Sequence, residues 1–532
     1  MREIVTLQLG QQSNYVATHF WNTQESYFTY GADEDSPVDH DVHFRQGLGA
    51  DGTETFMPRT VIYDLKGGFG TLKRLNALYD ISEDAAASSL WPGQAVVHRQ
   101  QPIEASAYQE SLDAGQPPPE LTTSTVRYWS DFNRVFYHPR SIIQLNEYEL
   151  NSTLMPFEKW HMGEELFANL DKEHDLLDRD LRPFVEEADH MQGVQIMSGI
   201  DDAWGGFAAR YVERMRDEYG KLPVWVFGIQ DPVRGLPREK KLLRLANKGR
   251  ALAELGSQAS LVVPLSLPEE PLPSSIRLDP LSPWHVSALF AATIESTTLY
   301  TRLKSAYHDS SSLGQMTDLL NIFGRQTIAS IEMSHAVPHN STRNGTNGPV
   351  DFTNSHGELI SNLRSDVTDD ESESGSQKGT TSLDVDLSSP QDLRLQPGSR
   401  RPRKRYVFGQ IQTYRGPDIA EAADDGTLAA AYTGIRRRPK VHNYRSGLAF
   451  PILDSSPSIF RDGNGNAMKG QLALKTALST DTSVMYKVKA LRTTVIRSIG
   501  LEDRETLGND LAEIAEGYKE GWSSGSDESD DE

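Results

Sequence analysis

The sequence of 532 residues contains no cysteine, which excludes disulfide bonds and metal sites built on thiolates. It also has no apolar run near the ~18 residues that a membrane-spanning helix requires. Hydrophobic residues make up only 37% of the chain, which is low for a protein that is folded throughout. The composition therefore predicts folded domains that are diluted by long polar segments.

Positive charge is also scarce. The chain has 53 lysines and arginines but 75 acidic residues, so its net charge is -22. This balance argues against a general nucleic-acid-binding surface. A short basic cluster, Arg400–Arg405, fits a nuclear-import or acidic-partner patch, or a solvated flank of the strand after it. We favour the last interpretation, in which the cluster is a solvated flank of that strand. The first residues form neither an apolar signal region nor an Arg- and Ser-rich presequence, so we expect any work at an organelle to occur on its cytosolic face.

The first twenty-one residues have the pattern of a strand, a polar turn and a helix. Ile4–Leu9 is apolar, Gly10–Asn14 is polar, and Val16–Trp21 carries apolar residues at helical spacing. Such a turn is a place where backbone N–H groups can face a phosphate. A second strand, Pro58–Leu65, carries Asp64 near its end and runs into a glycine-bearing turn. Two such units predict an α/β sheet with its working edge at the strand ends.

Further elements follow from periodicity, and three segments lack it. Helices are predicted over Leu72–Tyr79, Phe157–Glu187, Phe207–Tyr219, Lys240–Leu255 and Ser282–Leu303, and strands over Met191–Met197, Leu222–Ile229, Leu261–Leu267 and Tyr406–Gln412. We expect a loop over Tyr30–Thr55, a mobile insertion over 81–125 and a disordered insertion over His339–Arg400. The aromatic stretch Trp129–Leu145 is expected to pack rather than catalyse.

Four stretches occur in the same order as in tubulin and resemble it. They are Met1–Asn14 (MREIV, then GQ and Asn14), Pro58–Leu65, Met191–Val194 (MQGV) and Arg216–Tyr219 (RDEY). Three other stretches resemble the sequences of the Misato family of tubulin-like proteins more closely than they resemble tubulin. They are Trp129–Ser141, Glu173–Phe184 and Ile200–Gly206. The resemblance implies an α/β, tubulin-like fold with a Rossmann-type sheet, a second α/β domain and long disordered insertions.

The resemblance and the composition together divide the chain into five parts. We expect a tubulin-like segment at 1–115, a core with the central helix at 120–305, a second α+β domain at 306–338 and 401–521, a disordered acidic insertion at 339–400 and an acidic tail at 522–532.

By the same resemblance, one set of residues marks the remnant of a nucleotide site. Its members are Gly10, Gln11, Asn14, Asp64, Gly205 and Gly206. Where tubulin carries the phosphate loop GGGTGSG, this chain has Ile200–Gly206, with Asp201, Asp202 and Trp204 inside it. Two like charges ~4 Å apart repel by about 4 kcal/mol at an effective dielectric near 20, so these acids disfavour a triphosphate unless a metal bridges them. Lys66 stands where tubulin has an acid that helps to place magnesium.

No catalytic motif is evident. Tubulin's NxDxxE motif is missing, as are HExxH and a Walker loop. We place the disordered insertion near the loop after the central helix, where it would obstruct head-to-tail stacking. We therefore expect no catalytic residue, no metal and no enzyme activity, and we expect GTP not to be bound.

The resemblance implies a non-polymerising protein that acts through protein contacts in the partitioning of mitochondria and the inheritance of mitochondrial DNA. It would be peripheral on the cytosolic face of mitochondria, cytoplasmic, or both. Its partners would be the mitochondrial distribution machinery, the cytoskeleton or a chaperonin, with no direct nucleic acid and no transmembrane segment. Two alternatives stay open: a GTP-binding switch or GTPase with a remodelled phosphate loop, and an assembly factor associated with chaperonin or spindle.

Overall fold

The computed structural model describes eleven stretches of the chain. They are residues 2–29, 35–48, 54–72, 103–232, 235–268, 271–304, 310–336, 385–388, 405–416, 440–498 and 500–519. The acidic tail, most of the predicted helix Leu72–Tyr79 and most of the insertion 339–400 lie outside them.

Six strands form a parallel sheet, and an antiparallel pair lies apart from it. The strands in chain order are β1 (Glu3–Leu9), β2 (Phe44–Leu48), β3 (Glu54–Pro58), β4 (Thr60–Lys66), β5 (Ile142–Glu149), β6 (Met191–Gly199), β7 (Val224–Ile229) and β8 (Leu261–Leu265). The parallel sheet has the order β5-β4-β1-β6-β7-β8, while β2 pairs with β3. This is the doubly wound order, whose direction reverses between β1 and β6.

Ten α-helices lie within the described ranges. They are α1 (Gln11–Glu25), α2 (Ala107–Asp113), α3 (Trp160–His174), α4 (Arg182–Glu186), α5 (Ala203–Glu218), α6 (Arg238–Gln258), α7 (Pro283–Thr298), α8 (Leu313–Leu320), α9 (Thr482–Ser498) and α10 (Leu501–Glu516). Apolar residues of α1 and α7 pack on one face of the parallel sheet, and those of α3, α5 and α6 pack on the other. None of the helices within the described ranges is long and apolar enough to cross a bilayer.

The second part of the chain forms a mixed sheet. Its strands are β9 (Ser330–His335), β10 (Val385–Asp386), β11 (Val407–Arg415), β12 (Lys440–Ser446), β13 (Phe450–Ile452), β14 (Gly470–Leu472) and β15 (Leu474–Asp481). The sheet has the order β10-β9-β15-β11-β12, and β13 pairs with β14 beside it. The helices α9 and α10 return to pack on α6, so they join the two parts of the chain.

Helix α7 lies between the two sheets, and every residue from Val286 to Thr298 is buried. Its Glu295 accepts a hydrogen bond of 2.8 Å from Arg302 and pairs with Arg415, which comes from β11 of the second sheet. The hydroxyl of Tyr27 donates to the same carboxylate at 3.0 Å. Burial alone would raise the pKa of Glu295, but Arg415 and Arg302 hold it below its usual range.

Two helices begin earlier than the apolar pattern predicted. Gly10–Asn14 is not a polar turn, because α1 begins at Gln11, and α5 begins at Ala203 rather than at Phe207. In α1 the first buried side chains are polar, beginning with Ser13 and Asn14, so an apolar pattern does not detect this turn.

Other predictions were wrong in part. The predicted loop Tyr30–Thr55 contains β2 and the start of β3, and the predicted insertion 81–125 contains α2. The predicted helix Phe157–Glu187 is interrupted at Asp175, whose φ of 45° ends α3. In the segment expected to be disordered, residues 385–388 pair with β9, and Leu387 is fully buried there. Helix α8 and strand β9 separate α7 from that insertion, so it does not directly follow the central helix.

Candidate functional site

The place to look for a ligand is the crevice at the carboxyl ends of β1 and β6, where the strand order reverses. Gly10 follows β1 there, and Ile200–Asp202 follows β6. Each of these turns leads directly into a helix, α1 or α5. Phosphates bind at such helix N-termini because the first backbone N–H groups have no partner within the helix.

The crevice is filled by the side chain of Trp204, in the first turn of α5. A Cβ placed on Gly10 would stand 2.3 Å from Trp204 Nε1 and 2.6 Å from its Cδ1, so the indole lies directly against that glycine. Only 5% of Trp204 is exposed, and its ring packs edge-on against Phe157 and Phe207. These contacts place the Trp204 indole inside the crevice.

Gly10 also has the backbone geometry that this approach needs. Its φ of 88° is one that residues with a side chain rarely adopt. Its N–H donates to Tyr63 O at 3.0 Å, and its carbonyl accepts the first helical hydrogen bond from Asn14 N at 3.0 Å. The glycine thus ends β1, begins α1 and leaves the space that the indole occupies.

The N-terminus of α5 already has an anion of its own. Asp202 caps this helix by accepting a hydrogen bond from Trp204 N at 2.9 Å. A carboxylate at this position satisfies an otherwise unpartnered N–H and opposes the positive end of the helix dipole. The carboxyl group of Asp202 therefore takes the position that a phosphate would occupy at this helix N-terminus.

The predicted residues Gln11, Asn14 and Asp64 do lie together, but they bind one another. Asn14 Nδ2 donates to Asp64 Oδ2 at 2.7 Å, and Leu65 N donates to Asp64 Oδ1 at 2.8 Å. The Gln11 amide nitrogen, in the orientation that satisfies it, donates to Asp64 Oδ2 at 3.0 Å and to Gly68 O at 3.2 Å. These hydrogen bonds therefore hold the end of β4 against the first turn of α1.

The carboxyl group of Asp64 has no access to solvent. Burial raises its pKa from 3.8 to about 7, although Leu65 N and Asn14 stabilise the charged form. Sequence reasoning missed two residues that lie beside Asp64. Gly68 lies so close that a Cβ there would stand 2.3 Å from the carboxyl carbon, and Trp129 holds that turn by donating to Gly68 O at 2.9 Å. The aromatic stretch was predicted to pack, and Trp129 is fully buried.

The acidic residues after β6 meet a third one that sequence reasoning did not include. Asp231, just beyond β7, donates its N–H to Asp201 Oδ2 at 3.2 Å. Arg244 lies 3.1 Å from Asp231 and 3.7 Å from Asp201. Burial and then Asp231 raise the pKa of Asp201 well above its usual value and that of Asp202 to about 7. Within the described ranges, no group of three or more His, Asp or Glu side chains has the arrangement of a metal site.

The two predicted glycines of the phosphate loop face a neighbouring helix. A Cβ on Gly206 would stand 2.3 Å from Trp160 O, and one on Gly205 would stand 3.0 Å from the Trp160 ring. On the opposing helix α3, a Cβ on Gly163 would stand 1.8 Å from Ala203 O. These glycines therefore permit the close packing of α3 on α5. Lys66, at the end of β4, is exposed.

Two family models match the chain in succession. A Misato Segment II tubulin-like domain matches residues 2–114, and a tubulin domain matches residues 118–303. The second range includes α7, and together the two ranges contain the whole parallel sheet.

Fungal proteins match over the full length. The chain is 53% identical to "Protein dml-1" of Neurospora crassa and 48% identical to "Protein DML1" of Gibberella zeae, in both cases over 100% of each chain. It is 34% identical to "Protein dml1" of Schizosaccharomyces pombe over 57% of this chain and 66% of that protein. The chain belongs to the Misato family of tubulin-like proteins.

Proposed function

We propose that this chain is a non-polymerising tubulin-like protein that supports the partitioning of mitochondria and the inheritance of mitochondrial DNA through protein contacts, without nucleotide turnover. The observation that carries the non-enzymatic part is the contact of the Trp204 indole with Gly10, which occupies the crevice of the sheet. The organelle part rests on the resemblance of Trp129–Ser141 and Glu173–Phe184 to the Misato family.

The energetic case against a nucleotide follows from the burial of Trp204. A ligand in the crevice would first have to expose that side chain, which buries about 150–250 Å² in a folded protein. At about 25 cal/mol per Å², this exposure costs roughly 4–6 kcal/mol. An intrinsic affinity for nucleotide would then fall by about 10³ to 10⁴, since each 1.4 kcal/mol is tenfold.

The proposed setting is peripheral, on the cytosolic face of mitochondria, in the cytoplasm, or both. Its partners would be proteins of the mitochondrial distribution machinery, the cytoskeleton or a chaperonin. The net charge of -22 disfavours direct contact with mitochondrial DNA, so inheritance of that DNA would follow from distribution of the organelle.

A GTP-binding switch is the second candidate, because Gln11, Asn14 and Asp64 remain together at the crevice. In that case the side chain of Gln11 would contact nucleotide after Trp204 moved away. In the structure Gln11 contacts Asp64 and Gly68 instead, and its removal costs two hydrogen bonds of about 1 kcal/mol each.

Gene replacement in a fungal host separates these functions. We expect depletion of the protein to cause uneven partitioning of mitochondria and loss of mitochondrial DNA. We expect a Gln11→Ala copy, present at wild-type abundance, to restore both. Loss of mitochondrial DNA with that copy would favour the GTP switch. Normal mitochondria with defective spindles after depletion would favour the assembly factor associated with chaperonin or spindle.

A further inference from the structure

A small cavity lies at the seam between the two parts of the fold, away from the crevice of the parallel sheet. Its volume is about 30 Å³, and α6, β8, β9, α9 and the short segment 385–388 all contribute to its wall. The polar lining is Lys248, Lys487, Ser330 and Ser388, and the rest is mainly apolar, including Leu252, Ile328, Val484, Val488 and Leu491.

The ammonium groups of the two lysines differ in their hydrogen-bond and ion-pair partners. Lys487 Nζ lies 3.1 Å from Asp386 Oδ2 and 3.1 Å from Ser388 Oγ, so it has a counter-ion. Lys248 is only 5% exposed, and within the described residues it forms no hydrogen bond or ion pair. An ammonium group on so buried a side chain keeps only part of its hydration, and the low-dielectric surroundings do not replace the rest.

The charged groups around Lys248 do not neutralise it. Burial lowers the pKa of Lys248 to about 8, so the ammonium group is still largely charged at neutral pH. The charge of Asp201 raises the pKa of Lys248, but within the described residues the two side chains form no ion pair. Lys487 adds a second positive charge, which Asp386 already balances.

We propose that this seam cavity binds one small monovalent anion of chloride's size, held by the ammonium groups of Lys248 and Lys487. The anion supplies Lys248 with an ion-pair partner, which the described part of the chain does not place beside it, and it joins α6 to α9 and to the docked segment 385–388. A cavity of about 30 Å³ has room for about two water molecules or one such ion. A tetrahedral oxyanion has five heavy atoms and would need the walls to move. Lys487 is 23% exposed and gives the ion a path from solvent.

Thermal unfolding of the full-length protein tests the site. The measurement compares sodium chloride, sodium bromide, sodium phosphate and sodium gluconate at equal ionic strength and pH 7. We expect the unfolding temperature in ~200 mM chloride or bromide to exceed that in gluconate by about 2–4 °C, because a ligand that binds only the folded state stabilises it. Lys248→Met removes the charge and keeps a side chain of similar length, so it should abolish this difference.

The matched control is Lys240→Met on the same helix, because Lys240 is exposed and pairs with Glu158 at 2.8 Å. This variant should keep the halide effect. Equal unfolding temperatures in chloride and gluconate, an effect that survives Lys248→Met, or an effect of phosphate without one of halide would each overturn the proposal.

A second measurement does not depend on the variant's folding. Crystals of the wild-type protein soaked in bromide should show an anomalous peak beside Lys248 and Lys487. A cavity without that peak, in crystals where bromide binds elsewhere, would contradict the site.

Discussion

Trp204 and Gly10 form a complementary pair across the point where the strand order reverses: the glycine lacks the Cβ that would stand 2.3 Å from the indole nitrogen. One partner comes from the turn after β1 and the other from the first turn of α5. Their contact joins the two helix N-termini between which a phosphate would enter a Rossmann-type sheet. The tubulin-like fold is therefore retained, while the side chain of Trp204 fills the crevice in which a ligand would bind.

Gly10→Ala should be much more harmful than the same change at a glycine with the same backbone strain. Gly67 is the matched control, because its φ is 86° and a Cβ there would meet nothing within 4 Å. We expect Gly67→Ala to lower the free energy of unfolding by about 1 kcal/mol through strain alone. Gly10→Ala should cost a further 1–3 kcal/mol or so because of the collision with Trp204. Denaturant unfolding of both variants measures the difference, and equal losses would contradict the contact.

A double-mutant cycle isolates the same pair. Trp204→Ala alone should cost about 3–5 kcal/mol, as deletion of a buried tryptophan does. In that background Gly10→Ala should cost only about as much as Gly67→Ala, because the colliding indole is gone. The coupling energy would then exceed about 1 kcal/mol, whereas additive losses would show that the two side chains do not meet.

Gly206→Ala tests the role of the glycines that the resemblance assigned to a phosphate loop. Its Cβ would stand 2.3 Å from Trp160 O, a backbone atom that cannot move without shifting α3, so we expect a loss of about 2–3 kcal/mol. Gly249→Ala in α6 is the control, since the nearest atom to its Cβ is a side-chain methyl group at 3.4 Å. That variant should be neutral or up to about 1 kcal/mol more stable, because alanine favours a helix over glycine. Similar losses in both variants would count against close helix packing.

These glycines show which features of the structure could be predicted from the sequence and which could not. Local pattern and resemblance predicted the strands β1, β4, β6, β7 and β8 and the helix α7. They also predicted the meeting of Gln11, Asn14 and Asp64, because strand ends in a parallel sheet share one edge. Sequence did not reveal the partner of Gly206, because Trp160 lies 46 residues earlier in the chain and no local periodicity encodes which helices approach closely. The same holds for Asp231 beside Asp201, and for Val385–Asp386, whose two residues are too few to give a pattern.

Asp64→Asn should flatten part of the dependence of stability on pH. The pKa of Asp64 is raised in the folded protein, so folding takes up a proton between pH 4 and pH 7. Its contribution is complete below pH 4 and is lost as the pH rises through 7. The wild-type free energy of unfolding should therefore fall by up to about 4 kcal/mol more than that of Asp64→Asn between pH 4 and 8. Unfolding of both proteins across this range checks the slope, and parallel curves would show that Asp64 is ionised throughout.

The buried group around Glu295 should couple the two sheets. Glu295→Gln leaves two guanidinium groups without their carboxylate, and Arg415→Met removes the member that comes from β11 of the second sheet. Each change should cost about 3–5 kcal/mol, and the double variant should cost less than the sum. Lys304→Met, which breaks an exposed pair with Asp35, should cost at most about 1 kcal/mol. Denaturant unfolding of the four variants measures this, and additive losses would contradict the coupling.

A titration of nucleotide tests the central claim most directly. The purified full-length protein is titrated with fluorescent GTP up to ~1 mM, with and without magnesium, beside the Gln11→Ala variant. A crevice filled by Trp204 predicts no saturable binding in either protein, with or without the metal. Saturable binding at micromolar or lower concentrations that is lost in Gln11→Ala would contradict it, because nucleotide would then occupy the place of the indole.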